Sequence, residues 1–345
     1  MKTIFIFIDD ISHSGGTERV ASFLANQLLL AGNKIVLVSL TLKRNKPYYP
    51  LLPGIKLEVI GKSSIIGVML YLYRKRCDVI ISISMGRLSL KIASVHSVLR
   101  LNSRLILSEH VAFEIAPRLV RLLKWLSYQV ADELVLLTQH DYELLHRNVR
   151  ARTSVISNAS SFDVLPYTEL QNKQKIVLAV GRLTRQKAFD RLIRIWASLK
   201  NTDGWILRIV GDGEEHTKLQ NLITTFELTG RVQLIPATET ISVEYYNASI
   251  LAMTSRYEGL PLVLIEAKSY GLPAIAFDCK TGPREIIHNN VDGILVPNDD
   301  ETEFAMQLTM LMQDGNLRSR MQLAALASSN DYTIAHISQK WQELI

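Results

Sequence analysis

The sequence predicts an α/β protein made of two doubly wound units in tandem. Three observations carry that expectation. Short apolar runs rich in β-branched residues alternate with stretches whose apolar residues recur at helical spacing. The alternation starts at the N-terminus and restarts after a polar stretch at 160–174. The chain has 345 residues, 48% of them apolar, which suits two domains of ordinary size with a core each.

The first unit opens on "KTIFIFI" (2–8), whose composition is that of a parallel strand buried on both faces. "SHSGGTERVASFLANQLLLAG" follows. Val20, Phe23, Leu24 and Leu28 predict a helix, with Thr17 as its cap and Gly32 at its end. "KIVLVSL" (34–40), "DVIISIS" (78–84), "RLILSEH" (104–110), "ELVLLT" (133–138) and "TSVISNA" (153–159) read as further strands with helices between most of them. The second unit repeats the pattern. Its expected strands are "KIVLAVG" (175–181), "WILRIVGDG" (205–213), "RVQLI" (231–235), "ILAMTS" (250–255), "PAIAFD" (273–278) and "GILVP" (293–297). Between them, "AFDRLIRIWASLK", "HTKLQNLITTFEL", "ISVEYYNAS", "PLVLIEAKSYG" and "PREIIHN" predict helices, and "EFAMQLTMLMQD" another after the last strand. The polar stretch "SSFDVLPYTELQNKQ" (160–174) reads as the linker. Both units are Rossmann-like, and such folds bind ligands beyond the carboxyl ends of their strands. At the C-terminus, Ile334, Ile337, Trp341, Leu344 and Ile345 suggest a last helix that packs back on the first domain. A dimer contact suits the same spacing.

The formal charge of +6 is uneven. Residues 1–165 hold 21 Lys/Arg against 12 Asp/Glu, the remainder 18 against 21, and residues 51–127 hold 12 against 4. Such asymmetry points to an anionic partner for the first half. "IIGVMLYLYRKR" (65–76) and "APRLVRLLKWLS" (116–127) mix cations with large apolar residues, as helices on an anionic membrane surface do. An ordinary amphipathic helix with a solvated face fits either segment alone. The basic patch carries no nucleic-acid reading module. Cys77 and Cys279 lack metal-ligand spacing and suit a reducing cytoplasm. "MKTIFIFIDDIS" has an apolar stretch of only six residues ending at Asp9-Asp10, and reads as a strand rather than a signal.

The richest stretch is "RYEGLPLVLIEA" (256–267). Pro261 suits the start of a helix that Gly271 closes. Gly259, Leu260 and the first helical turn then offer N–H groups to an anion. Glu258 lies in the loop, and Glu266 about 7.5 Å along the helix axis, where it can accept from ribose hydroxyls. Spacing alone equally allows Glu258 merely to favour the helix dipole and Glu266 to face water. In "VGRLTRQKAFDRLI" (180–193), Arg182 and Lys187 follow a strand ending at Gly181. They are either diphosphate ligands or ordinary surface charge. Gly211 and Gly213 in "IVGDGEE" make a close-approach turn, a weak signal by itself. "SGGTERV" (14–20) places Gly15 and Gly16 before the first helix, without a full dinucleotide fingerprint. "LSEHVAF" ends a strand on Glu109 and His110; a lone histidine is more often structural than functional, and its place at a strand's carboxyl end shortens those odds.

Taken together these motifs resemble the retaining family 4 glycosyltransferases of the GT-B fold. "EGLPLVLIEA" resembles their E-x7-E signature. "VGRLTRQKAFDRLI", "IVGDGEE", "GLPAIAFDCKTGPREII" and "DGILVPNDD" follow in the family's order and spacing, while "SGGTERVASFLANQL" and "LSEH" resemble its N-terminal domain. The likeness covers nearly the whole chain and is greatest to bacterial members that build exopolysaccharide, capsule or O-antigen. It implies an acceptor domain at 1–165, a nucleotide-sugar domain at 166–330 and a C-terminal helix at 331–345. It implies that Arg182 and Lys187 bind the donor diphosphate, and that Glu266 binds the ribose. Glu258, with Gly259, Leu260 and Pro261, would contact the transferred sugar and phosphates, and Gly211 would line the donor site. His110 would lie beside the reacting sugar, and Gly15 and Gly16 would face the diphosphate. Two positions depart from the family: Pro236 replaces a common glycine near the nucleobase, and "SNAS" (157–160) replaces Pro-Asn-Gly.

The resemblance further implies a UDP-sugar donor carrying a hexose or N-acetylhexosamine, and a polyprenyl-diphosphate-linked or oligosaccharide acceptor. It implies a seat on the inner face of the cytoplasmic membrane. No D-x-D is present beyond the adjacent Asp9-Asp10, so cations and N–H groups rather than a metal are expected to stabilise the leaving diphosphate. Retention by a front-face path competes with double displacement through Glu258. A nucleotide-sugar 2-epimerase on the same fold and a non-catalytic nucleotide-sugar-binding protein are the competing functions.

Overall fold

Every apolar run named above as a strand becomes one, trimmed or shifted by a few residues at its ends. The structure is a computed structural model that describes residues 1–13, 15–61, 64–84 and 86–345. Ser14, at the head of the "SGGTERV" stretch, lies outside the described residues. Two units emerge, residues 1–158 with 335–345, and residues 159–334.

In the first unit the strands are β1 (Thr3–Asp10), β2 (Lys34–Thr41), β3 (Lys56–Val59), β4 (Val79–Ser84), β5 (Arg104–Glu109), β6 (Glu133–Leu136) and β7 (Arg152–Val155). All pair in parallel, in the order β3-β2-β1-β4-β5-β6-β7. The intervening helices are α1 (Gly16–Leu30), α2 (Ile65–Arg74), α3 (Arg87–Leu99), α4 (Arg118–Tyr128) and α5 (Gln139–Leu145). Phe5, Phe7, Val36, Ile80, Leu105 and Leu134 bury one face of the sheet against Ile92 and Tyr128 of α3 and α4. Side chains of this size contribute about 1.5–3 kcal/mol each on full burial. β3 was not anticipated: its Lys-Leu-Glu-Val alternates as a half-exposed edge strand does. Thr17 is not the cap of α1. The helix begins two residues earlier than that cap implies, with Gly15 as its N-cap, and the Thr17 hydroxyl donates to Glu18 Oε2 at 2.9 Å instead.

The second unit holds β8 (Ile176–Val180), β9 (Ile206–Val210), β10 (Val232–Ile235), β11 (Ile250–Met253), β12 (Ala274–Asp278) and β13 (Gly293–Pro297). These also pair in parallel, in the order β10-β9-β8-β11-β12-β13. Its helices are α6 (Phe189–Ser198), α7 (His216–Thr225), α8 (Ile241–Asn247), α9 (Leu262–Ser269), α10 (Pro283–Ile286), α11 (Glu301–Gln313) and α12 (Gly315–Ser329). Trp196 of α6, Phe277 of β12 and Phe304 of α11 anchor the core. The last helix, α13 (Ile334–Leu344), buries Ile337 and Trp341, and the Arg104 guanidinium donates to the Leu344 carbonyl within the first unit.

The units divide between Asn158 and Ala159, ahead of the 165/166 boundary expected from composition. Hydrogen bonding explains the difference. Ser160 N donates to Tyr332 O at 2.8 Å and Leu165 N to Ser269 O at 2.7 Å, so the polar stretch belongs to the second unit. A 3-10 turn at Tyr167–Asn172 with buried Leu170 continues it.

In both sheets the chain reverses direction of growth beside its first strand, between β1 and β4 and between β8 and β11. Such switch points open a crevice at the carboxyl ends of the two strands. The expected donor residues follow β8, β9 and β11; the expected residues of the first unit follow β1 and β5.

Candidate functional site

The loop after β8 carries Gly181, Arg182 and Lys187. Its shape depends on two glycines. A Cβ on Gly211, after β9, would fall 1.9 Å from Gly181 O, and one on Gly213 would fall 2.3 Å from Leu183 O. Gly211 thus lets the ends of β8 and β9 touch backbone to backbone, which is the part it plays in shaping the site. Leu183 N donates to Asp212 O at 2.8 Å and closes the same turn. Arg182 is exposed, whereas Lys187 folds inward along Gly181.

The loop after β11 meets it. Arg256 N donates to Gln186 O at 2.9 Å, Gln186 Nε2 to Tyr257 O at 3.0 Å, and Thr254 Oγ1 to Ala188 O at 3.1 Å. This lacing brings Lys187 Nζ to 2.6 Å from Glu258 Oε1. The two side chains are 17% and 7% exposed, so the ion pair is mostly withdrawn from water yet open to a ligand. From the other side Thr281 Oγ1 donates to Glu258 O. Gly282, at φ +97°, lies where a Cβ would be 2.6 Å from Gly259 O and 2.7 Å from Pro261. Thr281 and Gly282 therefore fix the Glu258–Pro261 turn. The "TGPREII" motif contained them, but only the fold assigns them this task.

Pro261 is the N-cap of α9, so the helix begins at Leu262, one residue later than expected. It supplies no side-chain cap, so the first-turn N–H groups of α9 point out beside Glu258 without a capping side chain. Leu260 is buried beneath the turn. Gly271, at φ +62°, terminates the helix as expected. Glu266 is 4% exposed and accepts a hydrogen bond from Tyr245 Oη at 2.7 Å. It does not face water, and that surface reading falls. One switch point thus gathers Lys187, Glu258, Gly259, Leu260, Pro261 and the helix that carries Glu266, with Arg182 exposed on the adjoining loop. An anion seated there would meet a cation and several N–H donors.

The remaining expected residues belong to the first unit. The Glu18 carboxylate bends back over the start of α1, 2.3 Å from where a Cβ on Gly15 would be, and so covers the glycine offered to a ligand. Gly16 is the first residue of that helix. His110, half-buried after β5, donates its backbone N–H to Ser84 O at 2.9 Å, and its ring Nε2 lies 3.0 Å from Ser108 Oγ. Burial pushes its imidazolium down to about 4, so the ring is neutral at pH 7. The unfolded chain then binds a proton between about pH 6.5 and 4 that the folded chain does not, and stability falls as pH drops through that window. Urea unfolding of the wild type is expected to lose about 2 kcal/mol between pH 7 and pH 5 from this group, and His110→Gln to lose that part of the slope. Identical slopes in both proteins would contradict the placement.

Among the described residues no three His, Cys, Asp or Glu side chains gather as a metal-ligand set. Cys77 and Cys279 are free thiols, and burial pushes both up to about 12.

Residues 166–327 match the family model for glycosyl transferases group 1. Over its full length the chain is 39% identical to the amylovoran biosynthesis glycosyltransferase AmsD of Erwinia amylovora, itself covered in full. The chain belongs to the group 1 glycosyltransferases. Another group 1 relative, an α-1,4-N-acetyl-D-galactosaminyltransferase of Campylobacter jejuni, is 30% identical over 258 residues, covering 74% of this chain and 71% of the relative. Its name specifies an undecaprenyl-diphosphate-linked saccharide acceptor. The fold of this group 1 glycosyltransferase is GT-B. HepE of Anabaena, solved with UDP, superposes with a TM-score of 0.81 over 100% of this chain and 99% of its own, at 19% identity. The family read from the sequence motifs is thereby borne out.

Proposed function

We propose that this glycosyltransferase moves a hexose or N-acetylhexosamine from a UDP-sugar to a polyprenyl-diphosphate-linked saccharide during surface-polysaccharide assembly, with retention of configuration and without a metal. The observation that carries the reading is the Lys187–Glu258 pair at the uncapped start of α9. In the reaction the bond from the sugar's anomeric carbon to the diphosphate oxygen breaks, and its electron pair leaves with UDP. The acceptor hydroxyl oxygen bonds to that carbon from the same face, and its proton passes to the departing phosphate oxygen. Lys187, Arg182 and the N–H groups of α9 neutralise the leaving group. Glu258 holds the sugar and Glu266 the ribose.

A relative 39% identical throughout is named for amylovoran biosynthesis, and another is named for a lipid-diphosphate acceptor; both support the substrate class. Membrane seating has its own support. α2 exposes Ile65, Ile66, Leu70 and Tyr73, and α4 exposes Leu119, Leu122, Trp125 and Leu126. Arg74, Arg76 and Arg118 are exposed alongside them. Among the described residues no helix is long and apolar enough to cross a membrane. Apolar side chains among cations are suited to lying on an anionic bilayer instead. The test is nucleoside-diphosphate release in EDTA from a panel of UDP-sugars, with acceptor presented in acidic vesicles. Release is expected to require acceptor and to slow as salt is raised. Epimerised donor in the absence of acceptor would favour the 2-epimerase reading.

A further inference from the structure

We propose that Tyr245 is a positioning residue for donor binding, holding the carboxylate of Glu266 in the one orientation that meets the ribose hydroxyls. The proposal rests on the reading that Glu266 binds the ribose.

Tyr245 lies on α8 and is fully buried. Its ring is fixed on several sides. Tyr270, just beyond α9, stacks on it with centroids 5.6 Å apart at 19°, and Phe162 meets it edge-on at 5.9 Å. Phe162 and Tyr270 also pack edge to face at 5.4 Å. Lys173 Nζ donates to the Tyr245 carbonyl at 2.9 Å and stands 5.9 Å from the rings of Tyr246 and Tyr270. A ring so enclosed has one place for its hydroxyl, and that place is 2.7 Å from Glu266 Oε2.

The physical consequence concerns Glu266. A carboxylate that is 4% exposed needs hydrogen-bond partners in place of water. The phenol supplies a charge-assisted bond to one oxygen. It thereby fixes the side-chain rotamer and the direction in which the other oxygen points. A glutamate held this way loses little conformational freedom when a diol binds. Packing alone does not call for the hydroxyl, because phenylalanine would fill the same space between Tyr270 and Phe162.

Calorimetric titration of the full chain separates these roles. The ligands are UDP and its 2′,3′-dideoxy analogue, and the proteins are wild type, Tyr245→Phe and Glu266→Gln, each checked for a cooperative thermal melt. Tyr245→Phe is expected to bind UDP about tenfold more weakly and to bind the dideoxy analogue as wild type does. Glu266→Gln is expected to show the same ligand dependence. Equal weakening of both ligands by Tyr245→Phe would make Tyr245 a packing residue and overturn the proposal. Unchanged UDP binding by Tyr245→Phe, with Glu266→Gln weakened, would also overturn it while leaving the ribose reading intact. Unchanged UDP binding by Glu266→Gln would remove the ribose reading itself.

Discussion

Lys187→Ala is expected to cut glycosyl transfer about 10²–10³-fold and to weaken UDP binding, whereas Glu258→Gln is expected to cut transfer and leave UDP binding equal or tighter. The opposite signs follow from the geometry. Lys187 Nζ sits 2.6 Å from Glu258 Oε1, and the acid neutralises the cation. Removing the acid's charge leaves Lys187 free to meet a diphosphate. Removing the lysine leaves a carboxylate, 7% exposed, at the place an anion must occupy. The rate effect comes from the transition state, where negative charge grows on the departing diphosphate and a fixed cation gains most. Initial rates with UDP-sugar and acceptor, beside UDP titration, check both halves. Parallel losses of UDP affinity in the two variants would show that the pair acts only as a brace.

The second large effect lies in the first unit. Lys124 Nζ stands 2.8 Å from Glu109 Oε2, and each side chain is 2% exposed. The lysine stem packs on Gly86, at φ +117°, where a Cβ would meet Lys124 Cδ at 3.1 Å. Burial, with Glu109 beside it, pushes the Tyr128 phenol well above its ordinary value. Lys124→Met strands the Glu109 carboxylate in this apolar setting and is expected to cost about 3–5 kcal/mol. The Glu109→Leu/Lys124→Met double variant is expected to recover most of that loss, because no charge is then left unpaired. Urea unfolding of the single and double variants measures both. A double variant as unstable as the sum of its singles would mean that packing of the lysine stem, not charge pairing, dominates.

How far the sequence carried this account differs from element to element. Parallel strands buried on both faces read as apolar runs, so β1, β4, β8 and β12 were plain. β3 was hidden because two of its four residues are charged, as suits an edge. α12 was not anticipated because its buried positions are Met321, Gln322, Ala325 and Ser329, which make no apolar stripe. The unit boundary was misplaced because a polar linker and a polar segment hydrogen-bonded to the second unit look alike in composition. At the site, Lys187 and Glu258 were legible as motif residues, but their pairing across 71 positions was not. Tyr245, Thr281 and Gly282 act through tertiary contacts alone. Tyr245 in "ISVEYYNAS" carries no local mark that separates it from Tyr246, whose hydroxyl goes to Glu169 instead.

The most direct test of the central claim is acceptor-dependent release of nucleoside diphosphate. UDP-glucose, UDP-galactose and their N-acetylamino counterparts are each incubated in EDTA with wild-type protein and a polyprenyl-diphosphate saccharide. At least one donor is expected to give UDP in step with a glycan one sugar longer, its new linkage keeping the donor's anomeric configuration, and Lys187→Ala to lose nearly all of it. No UDP release from any donor, or inverted configuration in the product, would contradict the account.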